Sequence, residues 1–201
     1  GLILPAAMDM HVHFRDPGYT HKEDWKTGSE SAACGGVTAV VDMPNTNPFT
    51  SDYSQFKEKE RIAKQKSVVD FGIGINVEEN LTEQDWFETV PAAFWKLYPY
   101  GISSKDYFRL AQEVLGKTKK PLVVHCEHPD YMHNNPLEKL SDHTENRLIA
   151  EEKCLSEMPP SKYLHVAHLS TSNGLRNLPS QSSTEVCPCL LYTSPSPRDT
   201  G

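Results

Sequence analysis

Met8-Asp9-Met10-His11-Val12-His13-Phe14-Arg15-Asp16-Pro17-Gly18 closes an apolar run that begins at Leu2. In an extended strand, residues two apart point to the same face. His11 and His13 therefore present two imidazoles side by side, with Val12 pointing the other way. Pro17-Gly18 ends the strand and starts a loop. Two imidazoles at the C-terminal end of a strand suit Zn²⁺ or a similar metal. A bare His-x-His also fits a strand with two half-buried histidines that bind nothing, so the rest of the chain must decide.

Outward from this stretch, apolar β-rich runs recur at 2–14, 37–41, 68–75, 93–98, 121–125, 163–169 and 184–186. Helical patterns fall between them. Residues 22–34 end at Gly35-Gly36, a C-cap, and 52–66 follow Ser51 as N-cap. Residues 82–90 open with Thr-x-x-Asp, close to a capping box. In 104–115, Tyr107, Leu110, Ala111, Val114 and Leu115 form one apolar stripe, closed by Gly116. A helix over 145–158 is stopped by Pro159-Pro160, and 172–178 is a short one. Strand-helix alternation of this kind predicts parallel β with covering helices, either a barrel or an open doubly wound sheet. No Gly-x-Gly-x-x-Gly or Walker-type loop supports a nucleotide site.

The polar residues gather at one place on this map. His13, Asn45, Lys96, His125 and His168 all lie at C-terminal ends of predicted strands. In a (β/α)₈ barrel that rim carries the catalytic groups. His125 terminates the apolar run Pro-Leu-Val-Val, where a polar group either finds a partner or binds something. His165 and His168 are three apart and face opposite ways on a strand; His168, nearer the loop, is the ligand candidate. Lys96 sits inside an apolar strand, where a charged amine is costly unless its stem packs and its head snorkels. A neutral amine there could instead take up CO₂ as a carbamate, an anionic oxygen ligand able to bridge two metals. Arg15, two residues beyond His13, should face the same side, and a guanidinium beside a metal suits a substrate carboxylate. Asn45 offers a donor and an acceptor, or is simply a turn residue in Pro-Asn-Thr-Asn-Pro.

The 201 residues suffice for one sizeable core, and the net charge of −7 is spread out, leaving no basic footprint for nucleic acid. No apolar stretch approaches the ~18 residues of a membrane span, and the N-terminus has no signal-peptide pattern. Five cysteines at irregular spacing fit reduced thiols in a cytoplasmic protein. Gly1 in place of an initiator Met, at the edge of an apolar run, reads as a fragment lacking an N-terminal segment.

The runs Asp-Met-His-Val-His-Phe-Arg-Asp-Pro-Gly-Tyr-Thr-His-Lys-Glu-Asp, Ala-Cys-Gly-Gly-Val-Thr and Asp-Met-Pro-Asn-Thr-Asn-Pro resemble the dihydroorotases of the amidohydrolase superfamily. Trp-Lys-Leu-Tyr, Val-Val-His-Cys-Glu and His-Val-Ala-His-Leu-Ser-Thr agree with them, so the resemblance covers residues 1–188. It implies an incomplete TIM (β/α)₈ barrel over 1–188, with about six to seven of the eight strands. It further implies two Zn²⁺ ions: His11 and His13 bind one, carbamylated Lys96 bridges, and His125 and His168 bind the other. Arg15 and Asn45 would hold the substrate carboxylate. The implied reaction is reversible ring closure of N-carbamoyl-L-aspartate to dihydroorotate in pyrimidine synthesis. A water activated between the cations attacks the ring amide, and a carboxylate protonates the departing nitrogen. In the family that carboxylate is an aspartate on the last barrel strand, which this chain lacks. The partners implied are a small-molecule substrate and, in the full-length protein, further copies of itself. Allantoinases, hydantoinases and dihydropyrimidinases share the implied barrel and cage, but most act on rings without a carboxylate. A non-catalytic homologue serving as an assembly partner is the rival from another class, though such proteins tend to lose the ligands retained here.

From Cys189 the chain departs from the family: Leu190-Leu191-Tyr192-Thr193-Ser194-Pro195-Ser196-Pro197-Arg198-Asp199 resembles a translated sequencing-library adapter. Residues 189–201 are accordingly expected to be a non-native tail. An incomplete barrel has raw edges, so the fragment is expected to be marginally stable and inactive.

Overall fold

The structure is a computed structural model describing residues 3–132 and 140–187, with only the backbone described over 140–144. The expected tail at 189–201 lies outside the described residues. The chain divides into two compact units after Lys96.

In the first unit, β1 (Ala7–Val12), β2 (Val37–Asp42), β3 (Asp70–Asn76) and β4 (Phe94–Leu97) pair in parallel. The register sets Val12 beside Asp42, Asp42 beside Ile73 and Asn76 beside Lys96. Helices α1 (Trp25–Cys34) and α2 (Tyr53–Lys66) connect the first three strands. Asp24 caps α1 by accepting from the Thr27 amide. Asp52, rather than the expected Ser51, caps α2 in a reciprocal capping box with Gln55. The Gly35-Gly36 stop of α1 holds, with Gly36 in the left-handed region at φ 82°.

In the second unit, β5 (Leu122–Val124), β6 (Leu164–Val166) and β7 (Ser183–Thr184) again pair in parallel. They alternate with α3 (Ser104–Lys117), α4 (Leu140–Glu157) and α5 (Ser172–Arg176). Gly116 lies inside α3 rather than closing it; the helix runs one residue further and Thr118 caps it. In both units each strand pairs with its neighbour in sequence. A doubly wound sheet reverses its strand order part-way; neither unit does, which is the pattern of a barrel.

Several expected elements are shorter than their sequence patterns, two of them most clearly. The first apolar run forms a strand only over Ala7–Val12, and the expected helix at 82–90 is a single 3₁₀ turn, Leu81–Glu83, followed by turns. The physical reason for the second is aromatic packing. Phe87 stacks on Trp95 with ring centroids 4.6 Å apart, and Trp86 leans on both Trp95 and Tyr53. A nine-residue helix is marginal alone, so burial of these rings overrides the local propensity.

Candidate metal centre

The first unit brings His11, His13, Arg15 and Asn45 together. The Nε2 atoms of His11 and His13 face each other at 3.2 Å. His13 Nδ1 bonds to Asn45 Oδ1 at 2.8 Å. An amide oxygen only accepts, so the proton of His13 sits on Nδ1 and the Nε2 lone pair is bare. Burial pulls the pKa of His13 down to about 4 against the opposing Asn45 bond, and electrostatic repulsion from the neighbouring His11, Arg15 and Lys96 side chains adds to the depression. At neutral pH this imidazole is uncharged, as a metal-donating imidazole must be.

Local structure explains how His13 is aimed. β1 stops at Val12, and Phe14 turns into the core against Trp25, edge to face with centroids 5.1 Å apart. Gly28 makes room, since a Cβ there would lie 2.5 Å from the Phe14 ring. The Trp25 indole donates to the Asp16 carbonyl, and Lys66 pairs with the Asp16 carboxylate at 2.6 Å. Between these anchors Arg15 is left-handed at φ 61°, a conformation costly for a branched-off side chain and typical of functional sites. Its Nη1 donates to the Asn45 carbonyl at 3.4 Å. Arg15 and Asn45 are thus joined to each other and to His13.

Sequence reading missed the pair underneath. The Phe14 amide donates to Asp42 Oδ1 at 2.8 Å, and Asp42 Oδ2 lies 2.6 Å from Lys59 Nζ. Lys59, on α2 and wholly buried, also donates to the Met43 carbonyl at 2.7 Å. Burial pushes the Asp42 carboxyl up and the Lys59 amine down, while their mutual attraction opposes both shifts. The Phe14–Asp42 bond ties the chain just after β1 to the end of β2, and the ion pair fastens that end to α2.

Lys96 lies on β4, only 1% exposed, flanked by buried Trp95 and Leu97. It is one of the cations that depress His13, so its amine lies within electrostatic reach of that ring.

The second unit brings His125 and His168 together. His168 Nε2 and His125 Nδ1 stand 3.1 Å apart. Glu127 Oε2 is 3.1 Å from His125 Nε2, and a carboxylate there holds a proton on Nε2, leaving Nδ1 bare. Arg147 pairs with the other Glu127 oxygen. Burial pushes the Glu127 carboxyl up, but the bonds from His125 and Arg147 prevail and hold it at about 2. The Tyr100 hydroxyl also reaches His125 Nε2 at 3.1 Å, and the buried Tyr107 hydroxyl donates to the His125 carbonyl at 2.9 Å. His168 lies beyond β6 and is left-handed at φ 40°. His165 points elsewhere, toward Ser183 and Glu185.

Both imidazole pairs fit a metal on geometry. Two nitrogens bound to one tetrahedral Zn²⁺ at about 2.05 Å stand about 3.3 Å apart, and the two pairs stand 3.2 and 3.1 Å apart. Such a contact is bridged by a proton or held open for a cation. Among the described residues, no group of three or more His, Cys, Asp and Glu side chains forms a metal cluster. Each set stops at two imidazoles, and Lys96 is the remaining candidate ligand. Among the described residues no helix is long and apolar enough to cross a membrane.

Comparisons with known proteins agree with this architecture. Dihydroorotase from Methanosphaera stadtmanae is 38% identical over 189 residues, covering 87% of this chain and 44% of that protein. Dihydroorotase from Methanothermobacter thermautotrophicus is 35% identical, covering 87% of this chain and 43% of that protein. The chain thus spans less than half the length of these relatives. L-Hydantoinase (dihydropyrimidinase) from Arthrobacter aurescens superposes with a TM-score of 0.78 at 23% identity, over 92% of this chain and 47% of that one. Dihydroorotase from Campylobacter jejuni superposes with a TM-score of 0.61 at 19% identity, over 92% of this chain and 54% of that one. The fold is therefore an incomplete TIM (β/α)₈ barrel of the metal-dependent hydrolase type. Residues 2–173 match the model described as the Amidohydrolase family, and the chain belongs to that family.

Proposed function

We propose that this chain is part of a dihydroorotase, a cytoplasmic cyclic-amide hydrolase interconverting dihydroorotate and N-carbamoyl-L-aspartate. The observation that carries the reading is an imidazole couple in each unit, its two nitrogens at the spacing of two ligands on one cation. The relatives named dihydroorotase supply the substrate class. The free thiols of Cys34, Cys126 and Cys154 suit a reducing compartment.

In this reading His11 and His13 would hold one Zn²⁺, His125 and His168 would hold a second, and Lys96, as a carbamate, would add an anionic oxygen ligand. When bound, the ions would bring a water near neutral pKa and polarise the ring amide carbonyl. The protein's own groups prepare that chemistry. Asn45 keeps the His13 proton on Nδ1, and Glu127 keeps the His125 proton on Nε2. Each ring is thereby oriented from behind, with its other nitrogen turned toward the partner imidazole. The five N–H donors of Arg15 exceed its single bond to the Asn45 carbonyl and suit a ring carboxylate bound side-on. The Lys96 amine, buried on β4, is the group that would carry the carbamate.

The test joins this chain to the remaining C-terminal portion of the Methanosphaera stadtmanae relative. The fusion should consume N-carbamoyl-L-aspartate in a metal-dependent manner, and Arg15→Lys should raise KM for it. Preference for hydantoin or allantoin would overturn the substrate assignment. A folded fusion without bound metal or turnover would favour a non-catalytic assembly partner instead.

A further inference from the structure

A second buried carboxylate in the later unit has no place in the chemistry above. Glu151, on α4, is 6% exposed and accepts four hydrogen bonds. Its Oε2 receives the Ser170 amide at 2.9 Å and the Ser170 hydroxyl at 2.7 Å. Its Oε1 receives the Thr171 amide at 2.9 Å and the Thr171 hydroxyl at 2.5 Å. Ser170 and Thr171 follow His168 by two and three residues. The Leu169 amide just before them donates to the Glu185 carbonyl at 2.9 Å, so this short turn is anchored at three successive residues. A Cβ on Gly174 would lie 2.4 Å from Glu151 Oε1, so only glycine admits the carboxylate.

We infer that Glu151 is a positioning residue that clamps the turn after His168 and thereby holds the left-handed backbone that aims the His168 ring at His125. A left-handed histidine relaxes toward ordinary backbone angles unless its surroundings over-determine it. Four bonds to one carboxylate, two from consecutive backbone amides, supply that constraint. The function of the clamp rests on the reading of His168 as a metal ligand. The clamp itself does not.

Glu151→Gln tests it with little change in volume. An amide keeps one acceptor oxygen and sets an NH₂ against two donors, so at least one backbone amide loses its partner. Two readouts separate the clamp from its purpose. Hydrogen exchange at the Ser170 and Thr171 amides, in the 201-residue chain without metal, should accelerate about tenfold. Co²⁺ titration in a His13→Ala background reads the His125–His168 pair, and its affinity should fall about tenfold. Glu152→Gln removes the same charge one residue away and should change neither. Unchanged exchange in Glu151→Gln overturns the clamp. Faster exchange with unchanged Co²⁺ affinity overturns its positioning role, provided His168→Ala abolishes that binding. If His168→Ala leaves Co²⁺ binding intact, the metal reading falls with the positioning role, while exchange still decides whether the clamp exists. Gly174→Ala is the independent check: it displaces the carboxylate from the other side and should reproduce both effects.

Discussion

The two units present the same chemical object, a pair of imidazoles with nitrogens facing at 3.1–3.2 Å, and hold it by opposite means. In the first unit one ring is fixed by a neutral amide, Asn45, and the strand ends beneath it are tied by the Phe14 amide on Asp42, itself in a sealed ion pair with Lys59. In the second the supports are carboxylates: Glu127 against His125, and Glu151 under the turn that follows His168. Both units place a left-handed residue beside the pair, Arg15 in one and His168 in the other. The difference lies in charge. Burial keeps His13 neutral despite its bond to the Asn45 amide, whereas His125 is backed by an ionised carboxylate, Glu127.

The largest break in this contrast should come from Lys59→Met. Removing one member of a buried pair leaves Asp42 uncompensated, and denaturant unfolding should show a loss of about 3–5 kcal/mol. The deficit should shrink as pH falls, because a lone buried Asp42 folds most readily when protonated. Adding Asp42→Asn to that variant should recover part of the loss. No recovery would mean that Lys59 acts through its bond to the Met43 carbonyl instead.

Asn45→Ala comes next. Loss of the Nδ1 partner frees the His13 tautomer, and Co²⁺ affinity at the first pair should weaken about 10- to 100-fold. The second pair should be untouched. Equal weakening at both pairs would refute the separate support of each.

Acid sharpens the comparison further. His13 has a folded pKa of about 4, below its ordinary value of 6.5, so the unfolded chain binds the proton first. Its contribution to stability is complete above pH 6.5 and is lost as pH falls from there to 4. Glu127 has a folded pKa of about 2 against 4.5, so its contribution is lost between pH 4.5 and 2. A stability profile should therefore flatten in the upper window for His13→Gln and in the lower window for Glu127→Gln. The smallest effect belongs to Lys26→Ala, which removes an exposed pair with Glu30 and should leave the unfolding midpoint where it was.

Apolar runs and helix stops revealed the strands and most helices, because burial on a sheet leaves a local signature. His11 and His13 were legible from spacing, and His125 and His168 from ending apolar runs. Asp42, Lys59 and Glu151 were not. Each finds its partners across a fold-dependent distance, 17 residues for Asp42 and Lys59 and 19 for Glu151 and Ser170. In sequence, a sealed lysine such as Lys59 looks like any other on a solvated helix. The failed helix at 82–90 has the same origin: Trp86 and Phe87 answer to Trp95, a residue eight or nine positions on, rather than to their own neighbours.

The central claim is that each imidazole pair holds a cation. Equilibrium dialysis of the fused protein against Co²⁺ and bicarbonate, with His13→Ala and His168→Ala beside it, measures this directly. Two equivalents in the parent and about one in each single variant are expected. A parent that binds no cobalt, or variants that bind as much as the parent, would contradict the account.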